Sequence, residues 1–273
     1  MSFGVMETQF REKRAAGRKL LVPYLTGGLH GWQDAVRAAA AAGADAIEIG
    51  IPFSDPVMDG PVIQQASQMA LEQGATPVSI LHEARDLDVQ IPLAVMCYYN
   101  TVHHAGHHRF ATELRDAGIV AAIVPDLPLE ESGPWCDGAD AAGIETVMLA
   151  APTAPDDRLP RVCARARGFV YSVGLLGVTG ERAALASTAT ALAHRLKAVT
   201  EVPVLVGVGV SNAEQAHEAS QVADGVVRHS SGASATARWF TESIIFDTRA
   251  ICWLLLWVTW ASRSFMSTMR RPA

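Results

Sequence analysis

Eight times between residues 20 and 227 a short apolar run gives way to a new segment, and this rhythm leaves the chain very few folds. The apolar runs lie at 20–25, 44–51, 91–98, 119–125, 144–151, 169–173, 203–208 and 224–227. The segments at 32–42, 61–88, 107–117, 135–142, 156–166, 187–199 and 213–222 between them read as helices. Strands that are apolar almost throughout belong to a parallel sheet covered on both sides. Eight strand–helix units close most naturally into an α/β fold of the (β/α)8, or TIM-barrel, type. The 273 residues, 49% of them hydrophobic, suit such a barrel, which takes ~250 residues. A doubly wound open sheet is the alternative, but its glycine fingerprint after the first strand is missing.

In a barrel, function gathers at the C-terminal ends of the strands. Glu48 and Asp59 fall there with the second strand, Tyr98 and Asn100 with the third, and Asp126 with the fourth. Tyr171 lies on the sixth strand, and Gly207 and Gly209 end the seventh.

The stretch AIEIGIPFSDPVMDGP at 46–61 is the most informative. Alternation puts Ile47, Ile49 and Ile51 on one side of a strand and Ala46, Glu48 and Gly50 on the other. A lone carboxylate on the small-residue side is costly to bury, so it has a task or a partner. Asp59 follows on a segment that Pro52, Pro56, Gly60 and Pro61 make a loop. Two carboxyls in different surroundings suit acid–base work with separated pKa values. The same spacing also fits a core glutamate held by a hydrogen bond and an aspartate capping the helix that begins near Pro61.

Other features carry less. Gly207-Val208-Gly209-Val210-Ser211 opens a helix after the seventh strand, where backbone N–H groups favour an anion, although tight turning explains the glycines equally well. LLGVTGERAAL at 175–185 reads as a lid or as an ordinary surface loop. His103, His104, His107 and His108 have helical spacing for a metal, but no His-x-His ends the first strand, and a solvated helix start is the simpler reading; no metal is expected. A net charge of −6 without a basic run argues against nucleic acid as partner. Cys97, Cys136, Cys163 and Cys252 lack paired spacing, and the N-terminal segment has no apolar signal core, so reduced thiols and a cytoplasmic location are expected.

Five motifs carry a family resemblance: 48–64, VPYLTGG at 22–28, YYN at 98–100, PDLPLEE at 125–131 and GVTG at 177–180. Together the sequence resembles the tryptophan synthase alpha subunit over about residues 10–227. The resemblance implies a barrel enzyme that cleaves indole-3-glycerol phosphate to indole and glyceraldehyde 3-phosphate by a retro-aldol reaction, in tryptophan biosynthesis. It implies Glu48 as general acid–base and Asp59 as the carboxylate that binds the indole N–H. It implies Tyr98 and Tyr171 as residues lining the substrate, and Thr179 as the lid threonine that orders Asp59. Phosphate would be held at Gly180 and Gly209, and Ser230 falls at the position of the phosphate-binding serine. The partner implied is a beta subunit in an alpha2-beta2 tetramer, meeting this chain at 52–59 and the following helix. Pyridoxal phosphate would belong to that partner, with no cofactor in this chain.

Departures are small until Val227. Gly28-Leu29-His30 stands where the family has Gly-Asp-Pro, and Thr101 where proline is common. After Val227 the family continues Gly-Ser-Ala, whereas this chain reads Arg228-His229-Ser230-Ser231. The remainder lacks lysine, has no glycine after Gly232, and holds four of the six tryptophans. The expected division is therefore a barrel at 1–227 and an atypical tail at 228–273, read as the product of a shifted reading frame. If the altered segment spoils phosphate binding, the chain would be an impaired or non-catalytic partner-binding subunit. The apolar run at 251–261 raises a membrane-associated form, but its 11 residues fall short of the ~20 that span a bilayer.

Overall fold

The computed structural model describes residues 3–174, 182–207 and 213–229. Eight parallel strands form a closed barrel in sequence order, each paired with the next and β8 paired with β1. The strands are β1 (Leu20–Thr26), β2 (Ile47–Gly50), β3 (Leu93–Met96), β4 (Ala121–Ile123), β5 (Glu145–Ala150), β6 (Val170–Val173), β7 (Val204–Gly207) and β8 (Gly225–His229). The helices are α1 (Val5–Ala15), α2 (Trp32–Ala41), α3 (Pro61–Glu72), α4 (Pro77–Ala84), α5 (Tyr99–Ala105), α6 (His107–Asp116), α7 (Gly133–Ala142), α8 (Arg158–Arg165), α9 (Arg182–Lys197) and α10 (Ala213–Val222). The (β/α)8 barrel expected from the alternation is therefore the fold observed.

Two shells of apolar side chains hold it. Ile47, Ile49 and Ile51 face outward and pack with the helices, among Val36, Leu81 and Ile80. Ala46, Ala94 and Ala121 face inward, where their small side chains leave room for Tyr24, Phe169 and Tyr171. Alternating large and small residues fills the barrel interior, so it is a core and not a pore.

Several elements differ from the sequence reading, among them α5, which precedes the helix expected at 107–117. The helical stretch expected at 61–88 is two helices. Gly74 takes φ +85°, which ends α3, and a capping box between Thr76 and Ser79, with Pro77 at the first turn, starts α4. The polar N-terminal segment forms α1, whose Met6 and Phe10 are fully buried among the inward-facing residues of the strands. Its N-terminal N–H groups, at Met6 and Glu7, donate to the Glu145 carboxylate at 2.8 and 2.9 Å. Its last turn sets Lys13 2.9 Å from Asp45 and Arg14 3.4 Å from Asp224. Negative charge at the helix start and positive charge at its end both complement the helix dipole.

Cys97, Cys136 and Cys163 are buried free thiols. Among the described residues no helix is long and apolar enough to cross a membrane, and no group of three or more His, Cys, Asp and Glu could hold a metal. His103 and His107 pack on the ring of Tyr99, whose hydroxyl lies 3.0 Å from His107 Nε2. The expectations for Thr179, Gly180, Gly209, Ser230 and the apolar run at 251–261 lie outside the described residues.

Candidate active site

Glu48 stands on β2 with its side chain inside the barrel and is 0% exposed. Neither carboxyl oxygen has a hydrogen-bond partner among the described residues. The reading of a core glutamate held by a hydrogen bond therefore does not apply. A carboxyl in such a place keeps its proton: burial, and then the charge of Asp59, push the Glu48 pKa up to about 8. At neutral pH it is a neutral acid.

Asp59 is carried by the loop between β2 and α3. The alternative role of helix cap fails too, because Gly60 is the N-cap of α3 and no side chain caps it. The Asp59 carboxylate instead accepts the Tyr98 hydroxyl at 3.1 Å, and the same hydroxyl accepts the Met58 N–H at 2.9 Å. Tyr98 is delivered from the end of β3, and its ring stacks on Phe53 with centroids 5.1 Å apart. The loop backbone is tied again where Gln64 Nε2 donates to the Asp59 carbonyl at 2.9 Å. Burial raises the Asp59 carboxyl above its usual range, while the Tyr98 hydrogen bond acts in the opposite direction.

Tyr171 enters the same space from β6. Its phenol is pushed well up by burial first and then by the charge of Glu48. A Cβ on Gly207 of β7 would collide with the Tyr171 hydroxyl, so that glycine provides the seat for the phenol. The structure thus brings Glu48, Asp59, Tyr98 and Tyr171 together at one end of the barrel.

One residue escaped the sequence reading. Tyr24 of β1 is the register partner of Glu48, is 2% exposed, and seats its hydroxyl over Gly50. Its position could have been found by counting inward positions, since Leu20, Val22 and Tyr24 alternate toward the interior. The apolar run around it masked that alternation.

The site provides a fully buried carboxyl whose pKa is pushed up and a second carboxylate, hydrogen-bonded and half-buried, acting on it from the loop. Such a pair can donate a proton at one atom of a substrate while the second group stabilises positive charge at another.

Comparison with known proteins gives the family. The family model described as tryptophan synthase alpha chain matches residues 10–238. The tryptophan synthase alpha chain of Thermobifida fusca is 44% identical over 230 residues, covering 82% of this chain and 85% of that protein. Its counterpart from Streptomyces coelicolor is 43% identical over 219 residues, covering 78% and 81%. Among solved structures, a chain of Mycobacterium tuberculosis tryptophan synthase superposes with a TM-score of 0.80 at 33% identity, covering 89% of this chain and 95% of that one. The Legionella pneumophila alpha chain gives 0.79 at 25% identity, covering 91% and 100%. With this barrel, these matches, and the buried Glu48 and loop-borne Asp59 on the stretch at 46–61, the chain belongs to the tryptophan synthase alpha chain family.

Proposed function

We propose that this chain cleaves indole-3-glycerol phosphate to indole and glyceraldehyde 3-phosphate as a carbon–carbon lyase of tryptophan biosynthesis. The observation that carries the reading is Glu48: a fully buried carboxyl with no hydrogen-bond partner among the described residues, kept protonated by burial and by Asp59. Breaking a carbon–carbon bond requires an electron sink. Glu48 transfers its proton to C3 of the indole ring, forming a C–H bond and leaving positive charge at the ring nitrogen. Asp59 stabilises that charge through the N–H. The bond between C3 and the glycerol carbon then breaks, and its electron pair returns to the ring. The adjacent hydroxyl becomes the aldehyde carbonyl and passes its proton to the Glu48 carboxylate, which restores the acid. Tyr98 holds Asp59 in place, and Tyr171 lines the site beside Glu48. Thr179 steadies Asp59 from the lid, and Gly180, Gly209 and Ser230 hold the phosphate.

The partner in this reading is a pyridoxal-phosphate-dependent beta subunit in an alpha2-beta2 tetramer in the cytoplasm. In support, Val57, Val62 and Met69 are 78%, 52% and 47% exposed along the β2–α3 loop and α3, an apolar strip of the kind a subunit interface covers. We read the atypical composition after Val227 as the result of a shifted reading frame; a gene with no alternative frame encoding Gly-Ser-Ala downstream of that codon would exclude it. The catalytic proposal is tested by running the reaction in deuterium oxide. The released indole should carry one deuterium at C3, and Glu48→Gln should abolish release in a folded protein. Indole formed without deuterium at C3 would refute proton transfer to that carbon.

A further inference from the structure

The proton donor poses a problem that the fold must solve. Once Glu48 gives up its proton it is an anion in a dry interior, and a buried carboxylate without a donor is costly. In the resting site neither of its oxygens has a hydrogen-bond partner among the described residues. Two phenols face it, Tyr24 from β1 and Tyr171 from β6, and Tyr24 is the one carried by a strand paired with β2. Tyr24 and Glu48 are register partners on adjacent parallel strands, so their side chains leave the sheet on the same side. Gly50 lies two residues beyond Glu48 on that face, and a Cβ there would collide with the Tyr24 hydroxyl and ring. The phenol therefore lies across β2 one step nearer the mouth than Glu48, and the missing Cβ of Gly50 leaves it this seat. The Tyr24 hydroxyl is hydrogen-bonded to Thr26 two residues on along its own strand. The titratable groups facing it are Asp59, Glu48, Tyr98 and Tyr171. Those facing Glu48 are Asp59 from the loop, Tyr24 from β1 and Tyr171 from β6.

We propose that Tyr24 is a positioning residue for the proton donor: its hydroxyl, seated over Gly50, rotates to donate to the Glu48 carboxylate formed when the proton leaves. The inference rests on the acid–base reading of Glu48. It explains why a glycine stands at the second inward position of β2, and why a phenol stands where an apolar ring would fill the same space.

Removing only the hydroxyl tests it. Tyr24→Phe keeps the ring and loses the donor. A hydrogen bond to a charged group is worth enough to lower kcat by about ten- to a hundredfold, with KM within about twofold of the native value. The pH profile gives the reading that a packing defect would not. Glu48 works protonated, so activity falls as pH rises through its pKa. Without the donor the carboxylate is less stable, that pKa rises, and the alkaline limb of kcat moves to higher pH by about one unit. Gly50→Ala, which displaces the phenol without deleting it, should move the limb the same way and decides the matter if the phenylalanine variant does not fold. An unchanged kcat, a loss confined to KM, or a lower kcat with an unmoved alkaline limb each overturns the proposal. Glu48→Gln is measured alongside. If it stays active, the acid–base reading itself fails; if it is dead while Tyr24→Phe matches the native protein, only the role of Tyr24 fails.

Discussion

A buried acid that serves catalysis costs the fold stability, and Glu48→Gln exposes that cost as a function of pH. In the folded chain the Glu48 pKa lies at about 8, against an ordinary value of 4.5. Below pH 4.5 both folded and unfolded states hold the proton, and the group adds nothing to the pH dependence. Between the two values the unfolded chain sheds its proton while the folded chain keeps it, so stability declines as pH rises, by about 1.4 kcal/mol per unit. Above pH 8 the accumulated cost is on the order of 5 kcal/mol. Glutamine has no proton to lose, so its stability lacks this slope. Urea unfolding of both proteins at several pH values from 4.5 to 8.5, compared as a difference, cancels the titration of every group that does not face Glu48. The difference should widen toward high pH in favour of Glu48→Gln, by several kcal/mol over the range. Parallel curves would mean that Glu48 is solvated or paired in solution, and would remove the argument for a poised acid.

Three further outcomes follow from named contacts. Tyr98→Phe removes the hydroxyl that ties Asp59 to Met58 N–H; because that bond lowers the Asp59 pKa, the acid limb of kcat/KM should move to higher pH and activity should fall by about tenfold or more. Glu145→Gln places an amide against the Met6 and Glu7 N–H groups and should cost about 1–3 kcal/mol in urea unfolding, with little change in kcat, since this contact lies away from the site. Val57→Asp sits at a position 78% exposed, so thermal melting of the isolated chain should be unchanged, while sedimentation with a family beta subunit should show weakened association; undiminished association would place the interface elsewhere.

The barrel was legible because its strands are nearly all apolar and evenly spaced, and because β2 alternates cleanly: Ile47 and Ile49 outward, Ala46 and Glu48 inward. The two carboxyls were legible as a pair, but spacing could not decide between structure and chemistry. That decision came from three-dimensional facts, namely the absence of a partner for Glu48 among the described residues and a cap position held by Gly60. Helix α1 was not legible. Its buried face is little more than Met6 and Phe10, and its other fixings are ion pairs to Asp45 and Asp224 and backbone N–H bonds to the Glu145 carboxylate, all remote in sequence. The break between α3 and α4 is carried by Gly74 and the Thr76–Ser79 box, while the apolar periodicity runs on through both helices. Tyr24 was hidden because its β1 neighbours are as apolar as its ring, and its relation to Glu48 exists only across strands.

The most direct test of the account is the stoichiometry of products from purified protein supplied with indole-3-glycerol phosphate, with and without beta subunit. Indole and glyceraldehyde 3-phosphate should appear in equal amounts, faster with the partner present, and neither should appear with folded Glu48→Gln. A folded native protein that releases no indole under either condition, or a Glu48→Gln protein that releases it at the native rate, would contradict the account.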